Sequence, residues 1–211
     1  MGKVIHGVTL SRVKAKDYEE YRSYIVFTMQ DLNRETGEYG IKEEIQEVNI
    51  CNNKFDSSFV LKTDMVVIGL TSYKAMVIDE KQEGKVVTSN FAIIEFNKNK
   101  IDPFYFTWYF NEHPEMQKQL AIAMQGTIIR ALSIQMLREL DIPLPILNIQ
   151  QKMGKVYKLR KRKEKLLFEK NILQDQLYNQ LMLNKLKEDI KCQQVKNNKN
   201  NKQIYILNYG Q

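Results

Sequence analysis

From about Asn148 to Ile190 the chain contains no proline and a single glycine, Gly154, while apolar residues recur at steps of three and four. Ile149, Met153, Val156, Leu159, Leu166, Leu173, Leu177 and Leu181 form that stripe, interrupted by Lys163, Lys170 and Asn184. The spacing predicts one continuous helix, about 65 Å long at 1.5 Å per residue. Such a helix exceeds the width of a small domain and cannot cover its stripe against itself. It has to project and take a partner helix, so the stripe is the candidate dimerisation surface.

Ahead of this rod the pattern is that of a mixed head. Tyr24–Thr28, Met65–Ile68, Ala75–Ile78, Lys85–Thr88 and Phe91–Ile94 are rich in β-branched and aromatic residues and read as short strands. Thr36-Gly37, Gly69 and Glu83-Gly84 punctuate them as turns. No crossover helix is evident between these strands, which disfavours a doubly wound parallel sheet and favours a curved or barrel-like one. At Pro103 the pattern changes. Phe104 to Phe110 fits a buried helix capped by Asp102, a second helix starts at Pro114 and runs to about Ala123, and Ser133 caps a third that ends before Pro143. The expected fold class is α+β: a small, mixed, curved β-rich domain over residues 1–146, then a long C-terminal helix over 147–192 forming a coiled coil. An Asn/Lys-rich tail over 193–211 is expected to be flexible, with Ile204–Leu207 an apolar island of no assigned role.

Charge divides along the same line. Residues 1–150 carry 17 Lys and Arg against 20 Asp and Glu, whereas residues 151–211 carry 15 against 5. A basic C-terminal part is expected to seek polyanions, with nucleic acid the commonest, or else to be a solvated helix face. The acidic head, if it touches DNA, must do so through a local patch. Two distant cysteines, Cys51 and Cys192, exclude a disulfide framework and a multi-cysteine zinc site, and a reducing cytoplasm is the expected compartment.

Catalytic signatures are sparse. His6 and His113 share no metal-ligand spacing, no glycine-rich phosphate loop occurs, and neither does a dinucleotide fingerprint. A DNA methyltransferase would need a cofactor glycine motif and an Asn/Asp-Pro-Pro-aromatic motif, both missing. Asp79 with Glu95-Phe96-Asn97 loosely resembles the paired carboxylates of metal-dependent nucleases, although Asn97 stands where a lysine is usual. Solvated strand residues explain both acids far better, and no catalytic role is assigned to them. Aromatic residues 104–110 at near-helical spacing point to core rather than to a base-stacking platform.

The order of features from Leu61 to Leu186 is distinctive. Leu61-Lys62-Thr63-Asp64-Met65-Val66-Val67-Ile68-Gly69 is followed by Ser89-Asn90-Phe91-Ala92-Ile93-Ile94 and the Pro103-Phe104-Tyr105-Phe106 helix. Gln125-Gly126-Thr127 comes next, then Leu137-Arg138-Glu139-Leu140-Asp141-Ile142-Pro143-Leu144-Pro145, and Ile149-Gln150-Gln151 opens the basic helix. Over roughly residues 4–190 this resembles the DNA-specificity (S) subunit of type I restriction-modification systems. Thr63 stands where the family usually has glycine, and Ile146 replaces its second proline after Leu-Pro. One recognition domain and one helix make this chain similar to half of a full-length subunit.

The resemblance implies a target recognition domain that reads double-stranded DNA and a helix that spaces two such domains. It implies a non-catalytic subunit that directs methyltransferase (M) and restriction (R) subunits to a bipartite target. S-adenosylmethionine and ATP are then expected on the partner subunits only, with no cofactor on this chain. A half-length chain reaches two domains by forming a homodimer, or by pairing with another half-subunit, through residues 149–190. Thr71, Ser72, Tyr73 and Lys74 after Gly69, and Gln125, Thr127 and Arg130 around Gly126, are the candidate DNA-binding residues. Glycine admits close backbone approach, and these side chains can meet phosphates or base edges. Two other readings stay open: a stand-alone Mg-dependent nuclease, and an assembly or regulatory protein that does not read DNA.

Overall fold

The strands at the centre of the head are apolar on both faces because both faces are covered. A computed structural model describes residues 2–16, 19–125 and 131–208, with side chains described to 191 and at 193. In it β1 (Lys3–His6), β7 (Phe91–Glu95), β4 (Val66–Gly69) and β5 (Ala75–Val77) form an antiparallel sheet in the order β1-β7-β4-β5. Val66, Ile68, Ala92 and Ile94 pack beneath Phe106, Phe110, Met116, Leu120 and Leu137. Those residues come from α3 (Pro103–Glu112), α4 (Pro114–Ala123) and α5 (Ile134–Glu139). Val67, Met76 and Ile93 point the other way, onto Phe27, Leu32, Leu61 and Val87. Alternate residues of one strand thus serve two cores, so the strand reads as an unbroken apolar run.

A second sheet, β3 (Glu47–Cys51), β2 (Tyr21–Phe27) and β6 (Val86–Val87), has an antiparallel β2–β3 pair and a parallel β2–β6 pair. The two sheets stay separate, so the barrel-like expectation is corrected to one antiparallel and one mixed sheet. Helices also occur among the early strands: α1 (Leu10–Val13) and α2 (Met29–Thr36). Thr28 and Asp31 close a reciprocal capping box at the start of α2, and Gly37 ends it at φ 138°. Asp31, buried, also holds Arg34 at 2.5 Å and Lys85 at 3.1 Å, tying α2 to the residue that precedes β6.

Asp102 caps α3 through the Tyr105 N–H at 2.8 Å, and Ser133 caps α5 through the Met136 N–H at 3.1 Å. Thr63 causes no strain at the position where glycine is usual. The left-handed residue of that turn is Asp64, φ 69°, a residue type that tolerates it. Ile146, where proline is usual, is exposed, and its carbonyl accepts the first bonds of α6 (Leu147–Asn208).

α6 extends beyond the expected end near Ile190, because Asn and Lys weaken a helix only mildly and neither proline nor glycine occurs between Lys155 and Asn208. The chain divides into two units, Met1–Glu164 and Lys165–Gln211. The first contains the head with the opening turns of α6. In the second, residues 169–191 are all exposed, leucines included. No helix among the described residues is long and apolar enough to cross a membrane.

Candidate nucleic-acid interface

Three chain segments meet at one end of the four-stranded sheet. β4 ends at Gly69, whose N–H donates to the Lys74 carbonyl at 2.9 Å, closing a hairpin over residues 70–74. The Leu70 N–H donates to the Asn90 carbonyl at 3.0 Å, and the Leu70 carbonyl accepts from Leu132 N–H at 2.8 Å. The hairpin is therefore bonded to the turn before β7 and to the segment that follows residues 126–130. His6 on β1 reaches the same turn, its Nε2 lying 2.7 Å from the Ser89 carbonyl. The hairpin selected from sequence is thus bonded to Leu132, just after the second selected loop, whose residues 126–130 lie outside the described residues.

Within the hairpin the side chains divide. Thr71 is exposed. Ser72 turns its Oγ inward, where it is buried without a hydrogen-bond partner among the described residues. A side chain at Gly69 would collide with that Oγ and with Leu32, so an internal contact requires this glycine. Tyr73 adopts φ 55° and packs on the helix-side core. Lys74 extends to Glu38 at 3.3 Å, both of them partly exposed. Gln125 is exposed at the end of α4, while Thr127 and Arg130 lie outside the described residues. Sequence reasoning missed Asn90, exposed at the tip of the adjoining turn; its place between two strands was the available signal.

The nuclease carboxylates fare differently. Ile94 and Val77 both lie level with Val66, so Glu95 one residue on and Asp79 two residues on leave the sheet out of phase. Asp79 accepts the Lys81 N–H at 3.1 Å within a turn, and no group of three or more His, Cys, Asp or Glu arranged for a metal ion occurs among the described residues.

Beside the stripe residues Ile149, Met153 and Val156, and about 100° around the helix from them, α6 has a docked face. Gln150, buried, accepts the Asp102 N–H at 3.1 Å and donates to the carbonyls of Lys100 at 3.2 Å and Pro145 at 2.7 Å. The Tyr105 hydroxyl donates to the Pro143 carbonyl at 2.6 Å. The Ile-Pro-Leu-Pro turn and the glutamine after it are thus the joint between head and helix. Gly154 sits one turn on, against the start of α3. Tyr157 is buried beside Asn111. Part of the basic stretch from Lys158 to Lys165 belongs to this joint as well. Arg160 pairs with Glu112, Lys161 bonds Glu164 at 3.0 Å, and Lys158 lies 4.7 Å from the Phe104 ring centroid.

Of the expected dimerisation residues, Met153 is half-buried beside a shallow groove of about 340 Å³ lined also by Trp108 and Val156. Ile149, Val156, Leu159, Leu166, Leu173, Leu177 and Leu181 are exposed.

Burial holds the hydroxyls of Tyr105, Tyr109 and Tyr157 above the ordinary tyrosine range. A raised pKa means that the folded state keeps these protons after the unfolded chain has lost them. Their stabilisation is complete below about pH 10 and is lost as pH rises past that value. Thermal midpoints should therefore fall above about pH 10, less steeply for Tyr157→Phe than for the wild type. Parallel curves for the two proteins would contradict this assignment.

The sequence model of one protein family, described as the type I restriction modification DNA specificity domain, matches residues 3–159, the head together with the docked turns of α6. Among solved structures, one described as the structural basis of complex assembly and conformational transition of the type I R-M system superposes with a TM-score of 0.53. It is 18% identical, and the match covers 82% of this chain and 47% of that one. The HsdS subunit from Thermoanaerobacter tengcongensis gives a TM-score of 0.48 at 17% identity, covering 78% of this chain and 43% of its own. The chain spans less than half the length of either. The first likeness shows a shared fold. No curated protein matches the sequence.

Proposed function

We propose, since the chain belongs to the type I restriction-modification DNA-specificity family, that it reads one half of a bipartite DNA target and directs methyltransferase and restriction subunits to it. The observation that carries this reading is the gathering of the 70–74 hairpin, the Ser89-Asn90 turn and the chain around residue 132 at a single sheet end. Loops held by a rigid sheet are suited to reading DNA, and Thr71, Asn90 and Gln125 present polar groups from exposed positions. Lys74 supplies phosphate affinity when it exchanges Glu38 for the backbone. The contribution of this chain is recognition. Methyl transfer and cleavage, with S-adenosylmethionine and ATP, fall to the partner chains, in the cytoplasm where the DNA lies.

One head distinguishes few base pairs, each mismatch typically costing about 1–3 kcal/mol. Two heads on one duplex supply adequate specificity, and pairing of α6 with a second copy through Leu166, Leu173, Leu177 and Leu181 provides them. A two-fold axis then dictates a target of two inverted halves at fixed spacing.

Selection from a randomised duplex library tests this. The protein should enrich a bipartite inverted repeat, and Lys74→Ala should weaken all duplexes alike while lowering the salt dependence by about one phosphate contact. Failure of the wild type to enrich any motif would overturn the reading.

A further inference from the structure

We propose that Asn111 is a positioning residue for base readout, holding the root of the 70–74 hairpin under the control of Tyr157 on α6. The proposal rests on the reading of that hairpin as a DNA-contacting loop.

β5 is the last strand of its sheet, and Ala75, its first residue, lies opposite Ile68 of β4. Among the described residues no further strand meets the outer edge of Ala75. The Asn111 side chain does. Its Oδ1 accepts the Ala75 N–H at 2.8 Å, and its Nδ2 donates to the Ala75 carbonyl at 2.8 Å. One amide thereby supplies the donor and acceptor that a neighbouring strand would bring, at the residue where the hairpin loop ends.

The second Nδ2 hydrogen goes to the Tyr157 oxygen at 3.0 Å. That bond fixes the amide's orientation, because a flipped amide would set its oxygen against the Ala75 carbonyl and turn its NH2 group away from the tyrosine. Tyr157 is buried and flanked by Arg160 and Lys161, with their side chains near its ring face. It can move only with the opening turns of α6. The chain from Tyr157 through Asn111 to Ala75 thus carries the helix's placement to the residue next to Lys74, and only five residues separate Gly69 from Ala75.

A merely structural edge-blocking role would affect stability and leave base preference unchanged. The test therefore combines two readouts on Asn111→Ala and the milder Tyr157→Phe, which keeps the ring. In hydrogen exchange, the Ala75 amide should exchange at least ten-fold faster in Asn111→Ala under conditions where other β4 and β5 amides remain protected. In selection from the randomised duplex library, discrimination at one or two positions in each half-site should fall about ten-fold for Asn111→Ala and about three-fold for Tyr157→Phe. Salt-dependent affinity for non-cognate duplex should not change. Thr71→Ala, in the loop itself, should relax an overlapping position.

If the wild type and Thr71→Ala give distinct motifs while both positioning variants enrich the wild-type motif in full, the positioning role is overturned and the reading survives. If the wild type enriches nothing, reading and proposal fall together. Should Asn111→Ala not fold, Tyr157→Phe alone decides: an unaltered motif overturns the proposal.

Discussion

Replacing Gly154 with alanine should destabilise the head by about 2–3 kcal/mol, even though alanine favours a helix interior by about 0.8–1.0 kcal/mol over glycine. The packing of α6 against α3 decides the sign. A Cβ at this position would fall inside contact distance of Asp102 Oδ1 and 3.0 Å from both Phe104 Cβ and Tyr105 N. The first of those atoms caps α3, and the others belong to its opening turn. Relief requires either that α6 back away or that the Asp102 cap be lost, and a lost cap alone costs about 0.5–2 kcal/mol.

Gln150→Ala should cost a similar amount, about 2–3 kcal/mol, because it leaves one N–H and two carbonyls without the amide that satisfies them in a partly buried joint. The two positions share Asp102 as a neighbour, so the double variant should cost less than the sum. Urea unfolding midpoints measure both. A Gly154→Ala protein as stable as the wild type would show that the helix is not seated on α3 as described.

The second large effect concerns the open stripe. Leu173→Glu with Leu177→Glu should weaken self-association by more than 100-fold and lower helix content. Both leucines are more than half exposed in the single chain, and burying a leucine is worth about 1.5–3 kcal/mol. Two charges at a helix seam forfeit that gain on both chains and add a desolvation cost. Isolated helices in water are marginal, and the turns beyond Lys165 include long Asn/Lys-rich stretches. On the proposed pairing their order depends on a mate, so far-ultraviolet circular dichroism should report the loss along with sedimentation. An unchanged oligomer would move the pairing surface elsewhere.

How far the sequence disclosed this arrangement depended on whether the signal was local. Asp102-Pro103, Pro114 and Ser133 mark helix starts through caps and fixed dihedrals, and α3, α4 and α5 begin where those signals place them. Apolar runs announced β4, β5 and β7. By contrast β1 and β3, Lys3–His6 and Glu47–Cys51, mix polar and apolar residues and are defined by their pairing partners, which sequence does not reveal. The missed α2 did carry a legible sign, the Thr28–Asp31 capping box, hidden by the strand-like run just before it.

The site was half legible. Gly69 and the hairpin after it were correctly singled out as a turn, but the inward rotation of Ser72 and Tyr73 follows from contacts with α2 and the core. Gln150, Gly154 and Tyr157 recur at steps of four and three, the same spacing as the apolar residues Ile149, Met153 and Val156 one position earlier. A docked face built from Gln, Gly and Tyr has no hydrophobic signature, so the periodicity that predicted the exposed seam was silent about the buried one. Asn111, one residue past the segment 104–110 read as aromatic core, stood out by no pattern.

The central claim is that one chain supplies one reading head, and that two chains joined along α6 read one target. Sedimentation of the protein on a duplex bearing its enriched motif measures this directly. Two chains per duplex are expected, with both lost together when either half-site is scrambled. A complex of one chain per duplex, indifferent to the second half-site, would contradict it.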